Sequence, residues 1–229
     1  MYSKETSVIL LTKFKPENVL WGFTHLAFGR YFLGVIPGLK FFKILGSGEN
    51  AGFSLKPSLK HQGFFCCFES SDFAKEFLRN NPLITKYKNK SEEFFFAELK
   101  SFSSRGSWSE NTIKESISPP LKGPIASLTR ASIRISKVGK FWSLAPSSES
   151  SLRSYEGCLL SAGLGEAPLL RQCTFSIWND IDSLNSYART GSHLKAIKSA
   201  NKNKYFSESM FIRFIPINFQ GTWQGRNFG

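Results

Sequence analysis

Hydrophobic and polar positions follow the same order in two parts of the chain. Residues 63–108 and 173–223 each begin with an aromatic strand-like run, continue into a helix that starts at Ser or Asp residues, and end in a second aromatic strand that closes on Gly-x-Trp. Each part is preceded by another strand-like run, from Ser7 and from Ile125, and by a stretch with helical character. The order of strand, helix, strand, strand, helix and strand is that of the ferredoxin-like βαββαβ unit.

An offset of 110 residues relates the two copies, as in Asp72 and Asp182 (182 − 72 = 110). The segment SISPPLKGP at 116–124 has the composition of a linker, so we predict two halves, residues 1–117 and 118–229. The strands are aromatic on both faces, and one unit alone would leave an apolar sheet face uncovered. We therefore predict an α+β protein in which tandem ferredoxin-like repeats pack sheet against sheet as an intrachain dimeric α/β-barrel-like body.

One histidine distinguishes the second copy from the first. In the segment ARTGSHLKAIKSA, residues 188–200, Gly191 interrupts the chain, Ser192 is a favourable N-cap, and His193 opens the next helix on or beside its apolar face. The corresponding position of the first copy is Leu83. A histidine in one copy alone is consistent with a single ligand site, and a capping or surface role is the alternative.

The charge balance indicates an acidic partner. The chain has 30 Lys and Arg against 17 Asp and Glu, a formal net charge of +13, which suits nucleic acid, an anionic membrane surface or a cofactor that carries carboxylates. The four cysteines lack zinc-ligand spacing, which predicts reduced, buried thiols in a cytosolic protein. The apolar stretch 19–42 is interrupted by charges, proline and glycines, so we expect a buried helix and a loop, with a lipid-contacting surface as the alternative. The predicted location is the cytoplasm, with peripheral contact at a membrane surface left open.

An RNA-binding function is the main alternative that the residues themselves suggest. The run QGFFCCF, residues 62–68, lies on the predicted third strand, where RNA-recognition modules carry their aromatic signature. The leading basic residue of that signature is missing. The sequence also lacks G-x-S-x-G, H-E-x-x-H and paired-carboxylate motifs, so nucleophilic and metallohydrolase chemistry have no support.

Several blocks of the chain resemble those of the spheroidene monooxygenase family. They are ASLTRASIRI, GLGEAPLLRQCTFSIWND, YARTGSHLKAI and YFSESMFIRF in the second half, and FFKILGSGENAGFSLKP in the first. Their order and spacing hold from Ser7 to Arg226. The resemblance implies an O2-dependent, haem-containing oxygenase of carotenoid biosynthesis with a dimeric α/β-barrel fold. Such an enzyme hydroxylates the 2-position of an acyclic carotenoid twice, and the resulting diol loses water to give a ketone.

The resemblance also implies roles for individual residues. His193, the only histidine inside a matched block, would be the proximal ligand of the iron of haem b. Arg130 and Arg189 would pair with the haem propionates, with a surface position as the alternative, and Trp178 would line either the pocket or the core. Reduced ferredoxin would supply electrons, and an acidic ferredoxin suits the basic surface; no nucleic acid is expected. The alternative within this fold is a haem-binding or haem-degrading barrel that does not act on carotenoid.

Overall fold

The strands and helices follow the same order in both halves of the chain, and the computed structural model describes residues 2–32 and 36–229. The first half contains β1 (Thr6–Phe14), α1 (Val19–Phe32), β2 (Leu39–Gly48), β3 (Pro57–Phe68), α2 (Ser71–Asn80), α3 (Pro82–Lys90) and β4 (Ser91–Gly106). The second contains β5 (Ile125–Ile133), α4 (Val138–Arg153), β6 (Cys158–Ala167), β7 (Arg171–Trp178), α5 (Ile181–Ala188), α6 (Gly191–Lys202), β8 (Phe206–Trp223) and the short β9 (Arg226–Phe228). Each half is thus a ferredoxin-like unit whose second helix is divided in two.

Local capping chemistry begins one piece of each divided helix, α3 in the first half and α5 in the second. The side chain of Asn81 accepts a hydrogen bond from the backbone N–H of Leu83 at 2.9 Å, and Pro82 occupies the first turn of α3. The side chain of Asp180 accepts one from the backbone N–H of Ser183 at 2.7 Å and so begins α5. Such caps satisfy backbone donors that have no partner within the helix.

Within the described residues, eight antiparallel strands close into a barrel in the order β4-β1-β3-β2-β6-β7-β5-β8. The long seam between the halves is the β4–β8 pairing, from Phe95 opposite Gly221 to Gly106 opposite Met210. The short seam joins β2 to β6, where the hydroxyl of Ser47 also donates to a backbone carbonyl at 2.6 Å. The predicted tandem ferredoxin-like barrel is confirmed, and its two sheets are hydrogen-bonded along both edges as well as packed face to face.

Alternation along the strands sorts the side chains between the barrel interior and the outer face beneath the helices. Phe65, Phe175 and Phe214 are buried in the interior cluster. The adjacent Cys66 and Cys67 fall in the outer and inner clusters, and all four cysteines are free thiols. The sheet of the first half is therefore packed on both faces.

The aromatic side chains of β3 lie inside this packing. Phe64 and Phe68 are buried beneath the helices of the first half, and Phe65 is buried in the barrel interior. RNA-recognition modules stack bases on exposed aromatic residues of an open sheet face. The closed barrel therefore does not support the RNA-binding interpretation of this strand.

Helix α1 differs from the prediction of a buried helix. One face packs on β2 and β3, while Leu20, Phe23 and Phe28 on the other face are exposed. None of the helices formed by residues 2–32 and 36–229 has both the length and the hydropathy needed to cross a membrane.

Candidate ligand-binding site

A cavity of about 700 Å³ lies between the sheet and the helices of the second half. Its sheet-side wall comes mainly from β5, β7 and β8, and its helix-side wall comes from α4, α5 and α6. Apolar side chains contribute much of the lining, among them Phe141, Leu144, Leu152, Ile197 and Phe206. The volume is in the range of small-molecule and cofactor sites, roughly 300–1,000 Å³.

The cavity exists because the sheet wall carries small hydroxyl side chains. On neighbouring strands Thr129 lies opposite Thr174, and Ser127 lies opposite Ser176, with all four on the cavity side. In the first half the equivalent pairs are larger or less polar: Leu10 with Phe64, and Val8 with Cys66. These four side chains belong to the buried outer cluster of the first half.

In the first half the corresponding space is filled by aromatic side chains. The ring centroid of Tyr87 lies 4.8 Å from that of Phe64 and 4.9 Å from that of Trp21. At the offset of 110 residues, Tyr87 corresponds to Ile197, which lies at the rim of the cavity with more than a third of its surface exposed (197 − 87 = 110). Among the described residues, the two copies share a backbone plan, but this space is filled in the first copy and open in the second.

Helix α6 presents His193 to the cavity from its first turn. The helix begins at Gly191, whose φ of 58° is in the left-handed region, and Thr190 occupies the N-cap position. The prediction of Ser192 as the N-cap is therefore wrong. The hydroxyl of Ser192 instead donates to the backbone carbonyl of Ser147 on α4 at 3.1 Å, which ties the start of α6 to that helix.

The imidazole of His193 is held by two neighbours. Its ring stacks on Tyr187 with a centroid distance of 4.5 Å, and its Nδ1 lies 3.1 Å from the hydroxyl of Ser148. The hydroxyl of Tyr187 donates to the backbone carbonyl of Ser148 at 3.0 Å, and burial raises the pKa of Tyr187 to about 12, which keeps this donor protonated. Among the described residues, Nε2 of His193 has no hydrogen-bond partner.

The electrostatics of His193 favour a neutral ring with a free lone pair. Burial lowers the pKa of its imidazole below the ordinary value of 6.5. When Nδ1–H donates to the hydroxyl of Ser148, the lone pair lies on Nε2, which is the arrangement of metal-binding histidines in proteins. Residues 2–32 and 36–229 contain no cluster of three His, Cys, Asp or Glu side chains suited to a metal ion.

Three arginines give the cavity a positive side. Arg105, Arg189 and Arg213 all line it, and Arg213 donates from Nη2 to the side-chain oxygen of Asn185 at 3.0 Å. Burial lowers the pKa of Arg213, and so do the positive charges of Arg105 and Arg189. None of the three forms an ion pair with another described residue. The cavity lining also includes Glu149, whose carboxylate is paired with Arg153. Three guanidinium groups without an ion-pair partner favour an anionic ligand, and a bidentate carboxylate suits them well.

Arg130 lies elsewhere, so the structure does not bring it together with His193 at this cavity, and its role toward a cofactor stays a prediction. It is buried on the inner face of β5 with Leu128, whereas Thr129 faces the cavity. Its guanidinium donates to Glu166 from Nη2 at 3.1 Å and forms an ion pair with Glu208. Two carboxylates already engage Arg130 inside the barrel, so its part is to hold the barrel strands together.

Trp178 and Arg189 do reach the cavity. Trp178 is buried at its inner end, where its indole N–H donates to the hydroxyl of Ser176 at 2.9 Å and its ring centroid lies 5.1 Å from that of Tyr187. Arg189 is exposed at the end of α5. Phe175 faces the barrel interior, as a core residue would. The roles of Trp178 and Arg189 toward a ligand remain predictions.

Several residues of this site were not predicted, although the sequence contains a signal for most of them. Alternation along β5 and β7 puts their hydroxyl side chains on one face, and the same rule applied to β8 separates Arg213 from its buried neighbours. Ser148 carries no comparable signal. Its position beside His193 depends on the packing of α4 against α6.

Comparison with known proteins supports both the fold and the kind of protein. The chain is 41% identical over 227 residues to a spheroidene monooxygenase of Rubrivivax gelatinosus, with 97% of this chain and 86% of that protein covered. It is 30% identical over 215 residues to a spheroidene monooxygenase of Rhodobacter capsulatus, with 92% and 89% covered. A crystal structure of an aldoxime dehydratase in complex with butyraldoxime has the same fold, with a TM-score of 0.62, 8% identity, and 93% of this chain and 79% of that one covered. No protein-family profile matches the chain.

Proposed function

The chain belongs to the spheroidene monooxygenase family and is an oxidoreductase, and from this premise we propose that it is a haem-dependent monooxygenase that converts C-2 of an acyclic carotenoid to a ketone. Two successive hydroxylations at the same carbon give a geminal diol, which loses water to form the ketone. O2 supplies the oxygen atoms and a reduced ferredoxin supplies the electrons. The substrate, the cofactor and the position of oxidation are all parts of the proposal.

One observation carries the proposal. A neutral imidazole with a free Nε2 faces a cavity of about 700 Å³ in the second copy of the duplicated fold, and His193 has Leu83 as its counterpart. Among the described residues, aromatic rings fill the corresponding space of the first copy. A histidine that is buried for packing alone would have no reason to coincide with the cavity. The coincidence is what a single haem site predicts.

The residues around the cavity fit haem b on three counts. His193 would hold the iron through Nε2, and its Nδ1 contact with Ser148 fixes the ring. Arg213 and its neighbours Arg105 and Arg189 offer guanidinium groups for the two propionates. The apolar lining suits a porphyrin ring. When bound, the haem iron supplies the activation of O2, chemistry for which the described side chains offer no substitute.

The protein's own side chains would orient substrate and protect the chemistry. The hydroxyls of Ser127, Thr129 and Thr174 supply hydrogen-bond donors on the wall opposite α6. Apolar side chains at the other parts of the cavity would exclude water and hold a hydrocarbon chain in place. Because C-2 lies near the end of an acyclic carotenoid, only that end of the substrate needs to enter.

The function is tested by turnover under isotopically labelled oxygen. We expect the haem-loaded protein, given a reducing system and spheroidene dispersed in detergent, to form a product whose ketone oxygen derives from ¹⁸O2. Mass spectrometry of the extracted pigment makes the measurement, and an anaerobic reaction is the control. Consumption of the haem with unchanged carotenoid would instead identify a haem-degrading barrel, and a label at another carbon would overturn the assignment to C-2.

Replacing Arg213 tests whether its guanidinium binds the propionate carboxylates of haem. We expect Arg213→Met to weaken haem binding about 10-fold to 100-fold, because hydrogen bonds to a charged group contribute more than neutral ones. The affinity for the dimethyl ester of haem, which lacks free carboxylates, should be unchanged. Absorption titrations of both ligands make the measurement, and Arg171→Met, an exposed arginine outside the cavity, is the matched control. An equal loss for haem and its ester would show that Arg213 supports the cavity without binding a carboxylate.

A further inference from the structure

The solvent-facing side of α1 carries a run of exposed apolar side chains, with the half-buried Thr24 among them. Five residues share this side and are exposed, and we call them the α1 stripe: Leu20, Phe23, Ala27, Phe28 and Tyr31. Leu20 is 74% exposed, Phe28 55% and Phe23 48%. Their spacing of three, four and eight residues is that of one face of a helix. An exposed helix face normally carries charged and polar residues, so the stripe indicates a contact with something apolar.

The fold itself does not require an apolar face at this place. Helix α4 is the counterpart of α1 in the second half, since each follows the first strand of its ferredoxin-like unit. The exposed positions of α4 include Lys140, Ser143, Ser147 and Ser150. The same architectural position is therefore polar in one copy and apolar in the other, which makes the α1 stripe a property of this sequence.

Lysines lie along one flank of the stripe and just before the start of α1. Lys86 and Lys90 of the neighbouring α3 are close enough to lower the pKa of His25 on α1, after the larger effect of burial. The ammonium of Lys90 lies 5.2 Å from the ring centroid of Trp21, and Lys15 is exposed just before the helix. An apolar helix face beside lysines is complementary to the boundary between acyl chains and anionic headgroups of a bilayer.

We propose that the α1 stripe docks this protein on an anionic lipid bilayer, with α1 lying parallel to the membrane surface. The helix has 14 residues, about 21 Å, so it lies along the surface without crossing it. Leu20, Phe23 and Phe28 enter the boundary region while the lysines contact the headgroups. This inference goes beyond the proposed function and does not depend on haem. Docking of this kind would hold the enzyme at the bilayer, in which a lipophilic substrate dissolves.

Vesicle flotation with matched variants tests the proposal. We expect the wild type to float with vesicles of phosphatidylcholine and phosphatidylglycerol, and less with phosphatidylcholine alone or at high salt, since salt screens the lysines. The triple variant Leu20→Ser/Phe23→Ser/Phe28→Ser should lose binding roughly 100-fold. The control Ser143→Ala/Ser147→Ala/Ser150→Ala on α4 should bind like wild type. Circular dichroism checks that both variants fold.

A site-specific probe locates the contact. An environment-sensitive fluorophore on Phe23→Cys should shift to shorter wavelength when anionic vesicles are added, and the same label on Ser143→Cys should not shift. The native thiols are buried or half-buried, which favours labelling at the introduced cysteine.

Three results would overturn the proposal. They are vesicle binding by the triple variant at wild-type strength, no binding by the wild type, and a wild-type dimer that becomes monomeric in the triple variant without vesicle binding. The last result would identify the α1 stripe as an interface between copies of the chain. Haem binding and carotenoid turnover in detergent report the proposed function separately, so either proposal can fail without the other.

Discussion

Replacing His193 with alanine is expected to abolish the Soret band of the coordinated haem and to stop turnover. The Nε2 atom is the ligand that we assign to the iron, and the described residues around the cavity offer no second imidazole in its place. We expect the affinity for haem to fall at least roughly 100-fold, because loss of even an indirect ligand contact in metal sites costs on the order of 10-fold to 100-fold. Absorption titration of the purified variant makes the measurement.

Chemical rescue separates a lost ligand from a damaged fold. In His193→Gly, added imidazole should restore a Soret band, since a free imidazole fits where the side chain was removed. The matched control is His61→Gln, which can keep the contact with Ser58 and lies in the first half, away from the cavity. A variant at His193 that binds haem like the wild type, or a loss of the same size in His61→Gln, would refute the assignment.

The pH dependence of the same band follows from the lowered pKa of His193. A folded-state pKa below the unfolded value of 6.5 means that the neutral ring is favoured in the folded protein. Neutral imidazole is the form that coordinates iron, so the band should persist as the pH falls through 6.5 and decrease only at lower pH. Protonation at that lower pH also destabilises the folded state, because the unfolded chain binds the proton more readily.

Filling the cavity with the side chain of the other half should remove the site while keeping the fold. Thr174 faces the cavity, and its counterpart 110 residues earlier is Phe64 (174 − 64 = 110). We expect Thr174→Phe to lose haem binding roughly 100-fold or more, because the ring occupies the space that the ligand needs. The free energy of unfolding should stay the same or rise by about 1 kcal/mol from the added apolar burial. Absorption titration and urea denaturation measure the two effects.

The reciprocal change is the control. Phe64→Thr removes a ring that is fully buried against Tyr87 in the first half. It should cost about 3 kcal/mol of stability and leave the haem affinity unchanged, because it lies on the other side of the barrel from the cavity. The two variants should therefore behave in opposite ways: Thr174→Phe loses haem binding and keeps its stability, and Phe64→Thr loses stability and keeps haem binding. Retention of haem by Thr174→Phe would show that the ligand binds outside the cavity.

Most of the fold was readable from the sequence because its signals are local and repeated. The alternating aromatic strands and the helix starts rich in Ser and Asp recur at a fixed offset, and a duplicated unit with two apolar sheet faces has few ways to bury them. The sequence does not predict which edge strands of the two sheets pair with each other, β4 with β8 and β2 with β6. The seam from Phe95 to Gly106 along β8 depends on how two separate sheets meet.

Only part of the candidate site could be predicted from the sequence, and the arginines show the reason. His193 was identifiable because Leu83 marks the same position in the other copy. The resemblance placed Arg130 beside the haem propionates because it lies in a matched block. Side chains two residues apart on a strand share a face, so Arg130 lies inside the barrel with Leu128. Arg213 could not be predicted as a site residue, because the positive side of the cavity is formed only when it lies near Arg105 and Arg189. These two residues come from distant parts of the chain and approach Arg213 only in the folded structure.

Residues 107–124 connect β4 to β5, so both halves of the barrel belong to one polypeptide. In a barrel built from two identical chains, every substitution is made twice, and opening a cavity in one half opens it in the other. A covalent connection removes that symmetry constraint. One half can then keep a fully packed core while the other leaves a cavity for a ligand. The difference is visible at one pair of equivalent positions, where Phe64 is buried in the first half and Thr174 lines the cavity in the second.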